Sequence, residues 1–277
     1  MYAGVDVGGT KTLVAVLNDE GVIREQAKFP TPKNYDHFLL ELRHALAHFE
    51  HQDFRAAGVG IPATEFDREH GRARSFGNLP WRNVPIEHDM ERIFKCPVVV
   101  ENDAKMATLS EYMLLRHEFK KVLYITVSTG IGYGLVDRGE LDRNIGDAGG
   151  RVMLLEYKGK HVPWESFAAG RAIVERFGKK AMDIHDEATW RIICRDLAKG
   201  FVELIAVTEP EVIVIGGSVG TYFDRYGAIL KEEIRKYHLP LITLPKLRGA
   251  QRPETAVIYG CYDLAKQTFG HHAITHH

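Results

Sequence analysis

Short apolar runs rich in β-branched residues alternate along the chain with longer stretches of helical spacing. Residues 2–7 (YAGVDV) and 12–18 (TLVAVLN) are two such runs, separated by Gly8, Gly9, Thr10 and Lys11 and closed by the polar turn NDEG. They predict a hairpin whose turn is built from glycine. Apolar residues at 38, 39, 42, 45, 46 and 49 then form a helical stripe. AAGVGIP (56–62) reads as a third strand and CPVVVEN (96–102) as a fourth, followed by a helix that opens just after Asp103.

At residue 121 the pattern starts again. KVLYITVSTGIGYGLVDRGEL repeats the opening logic of apolar strand, glycine turn, apolar strand and polar turn. This is duplication of one supersecondary unit and not a short-period repeat. VMLLEYKGKHVPW (152–164) reads as a short hairpin turning at Lys158, Gly159 and Lys160. A long helix over 188–208 stops before Pro210, EVIVIGGSVG is a buried strand running into glycines, and TAVIYGCYDLAKQT is a closing helix. Alternating strands and helices in two related halves define an α/β architecture, with a boundary near residue 115.

Composition adds mainly exclusions. With 277 residues, 45% hydrophobic and 26% charged, the chain can build one large or two modest globular cores. A net charge of −1 offers no electrostatic reason for a nucleic-acid or anionic-membrane partner. Cys96, Cys194 and Cys261 are odd in number and form no C-x-x-C pair, so a reducing cytoplasm is expected. No secretory signal or apolar run long enough for a membrane span is present. The tail HHAITHH reads as a frayed or appended terminus and a poor metal site.

Candidate chemistry sits in the turns. In DVGGTK, glycines let backbone N–H groups approach an anion, Thr10 offers a hydroxyl and Lys11 a charge. Asp6 at the strand end is suited to Mg²⁺ held through water. The same residues also read as a ligand-free glycine hairpin. STGIGYG (128–134) repeats the capability; it leads into a strand, so it is not a dinucleotide fingerprint. Gly216 and Gly217 end a strand where small residues would let a flat purine lie on the backbone, or where the chain simply turns. Between the first two turns lies VEND, in which an apolar strand ends on Glu101, Asn102 and Asp103. Such an ending is either an ordinary polar turn or chemistry at the carboxyl end of a sheet strand.

With these marks go GVGIP (58–62), NLPW (78–81), WESFAAG (164–170) and VIVIGGS (212–218). In this order the chain resembles the ROK family of sugar kinases in the hexokinase–actin-like superfamily. The resemblance implies two actin-like (ribonuclease H-like) α/β domains with a cleft between them. They would be a smaller domain over 1–115, completed by the closing helix near 255–270, and a larger one over 116–254. It further implies a cytoplasmic homodimer that uses ATP and Mg²⁺ to phosphorylate a hexose or related sugar, without nucleic-acid or membrane partners. On it, Asp103 matches the general base; Asn78, Asn102 and Glu165 match sugar contacts. Gly8, Gly9, Thr10, Lys11, Thr129 and Gly130 match the phosphate loops, and Gly216 and Gly217 the adenosine side. The dipole of the helix after Asp103 is expected to favour its ionised form.

One stretch departs from the family. The common E-x-G-H motif falls on Ala148, Gly149, Gly150 and Arg151, and the cysteine-rich zinc segment that usually follows has no cysteine here. No zinc site is expected. Ala148 cannot accept hydrogen bonds from sugar hydroxyls. Arg151 is either an anion-recognising group in the sugar pocket or a solvated arginine paired with Asp147 or Asp142. Three readings follow: weakened hexose phosphorylation, a different and perhaps anionic substrate, or a sugar- or nucleotide-binding protein without turnover. A phosphate donor other than ATP is a further option. A ROK-type repressor would carry an N-terminal helix-turn-helix, and the chain opens at its first strand.

Overall fold

The computed structural model describes residues 1–237 and 241–270; the His-rich stretch at 271–277 lies outside them. The chain divides into two compact units, Met1–Ser110 with the segment from Glu254 onward, and Glu111–Pro253.

In the first unit, β1 (Tyr2–Val7) and β2 (Lys11–Leu17) form the expected antiparallel hairpin. β3 (Ile23–Pro30) extends it, and α1 (Tyr35–Ala47) follows, its first turn capped by Asn34, whose Oδ1 accepts the His37 N–H at 2.9 Å. The apolar stripe is the reason α1 docks: Phe38, Leu42 and Leu46 are its buried face. Next come β4 (Ala56–Ile61), β5 (Ala63–Asp67), β6 (Arg72–Phe76), β7 (Arg82–Val84), α2 (Ile86–Phe94), β8 (Val98–Asn102) and α3 (Asp103–Leu115), which runs on into the second unit. The sheet order is β3-β2-β1-β4-β8, with β4 parallel to both β1 and β8. The parallel strands are covered on both faces, which is why β4, and β8 even though it ends the sheet, are buried throughout. β3 is an edge strand and alternates half-buried with exposed residues. β5, β6 and β7 form a separate three-stranded antiparallel sheet inserted between β4 and β8. Beside it Trp81 packs on Phe38 at 4.7 Å and Phe76 at 5.3 Å between ring centres.

The second unit contains β9 (Lys121–Val127), β10 (Ile131–Asp137), β11 (Glu140–Leu141), β12 (Leu154–Tyr157), β13 (Lys160–Pro163), α4 (Glu165–Ala168), α5 (Gly170–Phe177), α6 (Glu187–Thr208), β14 (Val212–Gly216), α7 (Gly217–Gly220), α8 (Phe223–Arg235) and β15 (Lys246–Gly249). Its main sheet runs β11-β10-β9-β14-β15. In each unit the order is therefore third, second, first, fourth, fifth, with an antiparallel hairpin feeding parallel strands. The duplication seen in the glycine turns extends to the whole sheet. The β12–β13 hairpin turns on Lys158 and Gly159 alone, since Lys160 already pairs with Tyr157.

α9 (Ala256–Phe269) returns the chain to the first unit and packs on β1 and β4. A Cβ at Gly58 of β4 would lie 2.2 Å from the Cys261 carbonyl oxygen, and one at Gly260 would lie 1.9 Å from that of Met106 on α3. Glycine at these two positions lets α9 sit backbone to backbone against β4 and α3. α3 is accordingly buried on nearly all sides, and its polar groups are satisfied locally: Thr108 donates to Ala104 O at 2.7 Å, and Glu111 accepts the N–H groups of Gln251 and Arg252 at 3.1 and 2.8 Å. Among the described residues no helix is long and apolar enough to cross a membrane.

Candidate active site

Strand β8 carries three valines into the core and stays paired to β4 through Glu101 and Asn102. Asn102 then turns the chain into α3. Its Oδ1 accepts the N–H groups of Ala104 and Lys105 at 2.9 and 3.4 Å, while Nδ2 donates to Ala63 O at 3.1 Å. Asn102, expected as a sugar contact, is thus the residue that caps α3 and ties β8 to the start of β5.

Asp103, half-buried, opens α3, and its Oδ1 accepts the Ala104 N–H at 2.8 Å. That bond favours the charged carboxylate, as the helix dipole was expected to, but burial outweighs it and raises the pKa to about 6. The helix start favours ionisation as expected, but burial is the larger effect, so the net acidity is below that of an exposed aspartate. Asp6, near the end of β1, is raised to about 7, first by burial and then by the charge of Asp103, with Lys28 acting in the opposite sense. The two carboxylates feel one another, and each lacks enough local compensation to ionise at its ordinary pKa. Such a pair suits a hard divalent cation bound through water, so Asp6 fits the Mg²⁺ expected of it. Among the described residues no group of three or more His, Cys, Asp or Glu side chains gathers to hold a metal.

The first glycine turn lies in the same unit. Gly8 N–H donates to Lys11 O at 3.0 Å, and Thr31 braces the turn by donating from Oγ1 to Gly8 O at 2.8 Å. Gly9 abuts Asn78: a Cβ there would lie 2.7 Å from that of Asn78. Thr10, Lys11 and Asn78 are exposed around this contact. Lys33, which no sequence signal marked, places its Nζ 3.1 Å from Gly9 O and adds a second cation to the turn.

The second unit carries the other predicted residues. Its glycine turn is closed by Ser128 N–H donating to Gly130 O at 2.8 Å, leaving Thr129 exposed. Glu165 is almost wholly buried against this turn, with Oε2 accepting the Ile131 N–H at 3.3 Å. Arg151 Nε donates to Glu165 Oε1 at 3.1 Å. Beside the pairings with Asp147, Asp142 or an anionic ligand that the residue types allow, this ion pair joins Arg151 to Glu165, itself one of the expected sugar contacts. Arg151 lies on the one-turn 3₁₀ segment Gly149–Arg151, and the positive φ of Gly149 belongs to that turn.

Gly216 closes β14 and Gly217, at φ 79°, opens α7. A Cβ at Gly216 would lie 2.0 Å from the Tyr124 hydroxyl, and one at Gly217 would lie 2.6 Å from Thr126 Oγ1. The missing side chains make room for β9. A cavity of about 420 Å³ lies alongside, lined by Ser128, Thr129, Arg171, Lys180, Ser218 and Tyr222. Ser128 Oγ and Ser218 Oγ are 3.2 Å apart, so the second and third turns share one hydroxyl pair on this wall. Hydroxyls, two cations and an aromatic ring fit a phosphorylated nucleoside. Arg171, Lys180 and Tyr222 stand in helices and loops without motif character, so no local signal marks them.

Two α/β units with the same five-strand order, each opening on a hairpin with a glycine turn, define an actin-like ATPase fold. The chain belongs to the ROK family, whose model matches residues 2–268. An N-acetylmannosamine kinase of Escherichia coli is 29% identical over 268 residues, covering 86% of this chain and 91% of its own. A ROK hexokinase from Thermus thermophilus superposes with a TM-score of 0.76 at 29% identity, over 96% of this chain and 98% of that one. A ROK family glucokinase from Streptomyces griseus, solved with glucose and AMPPNP, gives a TM-score of 0.81 at 24% identity, over 96% and 99% of the two chains.

Proposed function

We propose that the chain is an ATP- and Mg²⁺-dependent sugar kinase acting on a hexose or related sugar, with Asp103 as general base. The observation that carries this reading is the grouping, within one unit, of Asp103, the charge-coupled Asp6 and a glycine turn seated on Asn78. Relatives named for hexose and N-acetylmannosamine phosphorylation support it.

Bound Mg²⁺ and ATP supply the phosphoryl group and neutralise its charge. Phosphoryl transfer asks the protein mainly for position and charge stabilisation. Asp103, mostly ionised at neutral pH with its carboxyl near 6, would accept the proton of the attacking sugar hydroxyl as the new O–P bond forms and the bond from that phosphorus to the departing ADP breaks. Asn78 orients a neighbouring hydroxyl. Lys11, Lys33 and the N–H groups of the first glycine turn beyond Gly8, whose own N–H is held by Lys11 O, are suited to the transferred phosphate. The second unit has its own cluster, Ser128, Ser218, Arg171 and Lys180, whose chemistry suits a phosphorylated nucleoside.

A second reading, a sugar- or nucleotide-binding protein with little turnover, is favoured by the Arg151–Glu165 ion pair, which occupies a carboxylate expected to bind sugar. ADP release with ATP, Mg²⁺ and a panel of hexoses and aminosugars separates the two. Turnover with at least one sugar is expected; nucleotide binding without turnover on any of them selects the binding protein.

Restoring an acceptor at the substituted motif gives a separate expectation. Ala148→Glu should tighten hexose binding by about tenfold, the value of one recovered hydrogen bond of about 1.4 kcal/mol. Isothermal titration with the preferred sugar measures it, and an unchanged affinity would show that Ala148 does not border the sugar.

A further inference from the structure

We propose that Arg68, acting through the buried carboxylate of Glu101, is a positioning residue that holds the general base and Asn78 in register; the proposal rests on the kinase reading above. Glu101 is fully buried and lies two residues before Asp103. Arg68, in the turn between β5 and β6, grips both of its oxygens, with Nε 2.9 Å from Oε2 and a terminal nitrogen 2.5 Å from Oε1. The same Oε1 accepts the Asn102 N–H at 2.8 Å, and the fully buried Lys105 stands 3.9 Å away on α3. One carboxylate therefore links the turn after β5, the last residue of β8 and the first turn of the helix that Asp103 opens.

The geometry says what this linkage is for. Asn78 follows β6 in the inserted three-stranded sheet, whereas Asp103 follows β8 in the main sheet. The inserted sheet is fastened to the main one near both ends of β5. At its start Asn102 Nδ2 donates to Ala63 O at 3.1 Å, and Gly77 N–H donates to Pro62 O at 2.9 Å. Past its end the fastening is the Arg68–Glu101 fork. A bidentate guanidinium–carboxylate pair fixes orientation as well as distance. The Arg68 guanidinium also lies over the ring of Phe66 on β5, 5.6 Å from its centre, a second contact to its own strand. A buried ion pair contributes little net stability compared with apolar packing, and in some proteins its worth lies in selecting one arrangement. Here the arrangement selected is that of the two acceptor-side residues relative to each other.

Arg68→Met and Arg68→Lys test this, read by steady-state kinetics and amide hydrogen exchange. Arg68→Met is expected to lower kcat by about 10- to 100-fold and raise the sugar KM, because small misplacements cost that much, with the ATP KM unchanged. Arg68→Lys, which keeps the charge and loses the fork, recovers part of kcat. In an Asp103→Asn background Arg68→Met lowers kcat no further. Independently of turnover, amides at 77–79 and 102–105 are expected to exchange about tenfold faster in Arg68→Met, while those of the second unit do not change. Faster exchange confined to 66–70, or unaltered kcat and sugar KM in an active enzyme, overturns the proposal. If the wild-type chain phosphorylates no sugar, the kinase reading falls, and the exchange pattern still decides whether Arg68 sets the register.

Discussion

Asp103→Asn is expected to lower turnover by about 10²–10⁴-fold, the range assigned to a positioned general base, while leaving the fold and the affinity for nucleotide intact. Asparagine keeps an oxygen to accept the Ala104 N–H, so α3 starts as before. What it loses is the ability to take a proton. In the wild-type chain kcat/KM should rise with pH through about 6, the value to which burial raises the carboxyl. The same shift governs stability in the opposite sense. The folded pKa of about 6 exceeds the 3.8 of an unperturbed aspartate, so the contribution of Asp103 is fully present below about pH 4 and lost as the pH rises through 6. Asp103→Asn should therefore melt at a higher temperature than wild type at pH 8, with the gap closing toward pH 4. Thermal melts at the two pH values measure this, and sugar-dependent ADP release measures the catalytic loss. Turnover that survives the substitution would sink the base assignment.

Gly260→Ala should be the most destabilising single-methyl change in the first unit, at about 3–5 kcal/mol, the level reached when a packed core is forced apart. The new Cβ would lie 1.9 Å from the Met106 carbonyl oxygen, a backbone atom that no rotamer change can move. The helix itself has to shift, and it is pinned on its other side where Gly58 meets the Cys261 carbonyl. Because Met106 lies one turn after Asp103, the shift should also depress kcat. Gly178 supplies the contrast. Its φ of 66° favours glycine, but a Cβ there meets nothing within 4 Å, so Gly178→Ala should cost only about 1–2 kcal/mol of backbone strain. Urea denaturation of the two variants compares them; equal costs would mean that α9 is not packed this closely.

How much of this could be read from the amino acids depends on whether a signal is local. β1, β2, β4, β8, β9, β10 and β14 are near-continuous apolar runs because their sheets are covered on both faces, and the glycine turns between them repeat. β3 and the β5–β7 sheet carry no such run: they are edge or inserted strands with a solvated face, rich in charged and polar residues, and β5–β7 are short as well. Asp103 could be placed at a strand end from VEND alone. Its acidity could not, since the dipole is a property of the next few residues whereas burial is set by everything packed around them. Pairings such as Arg68 with Glu101, separated by 33 residues, or Arg151 with Glu165, separated by 14, arise when the sheets assemble and leave no periodic trace. Gly216 and Gly217 were legible as glycines but not for their purpose, which is to admit Tyr124 and Thr126.

The return of α9 to the first unit bears on how the chain is made. The second unit is one contiguous run and can close as soon as it has left the ribosome. Strands β1 and β4, though synthesised earliest, keep the face reserved for α9 uncovered until residues 256–269 emerge. The half that carries Asp103 is thus the last to be completed. During translation its apolar sheet is the surface most in need of a chaperone.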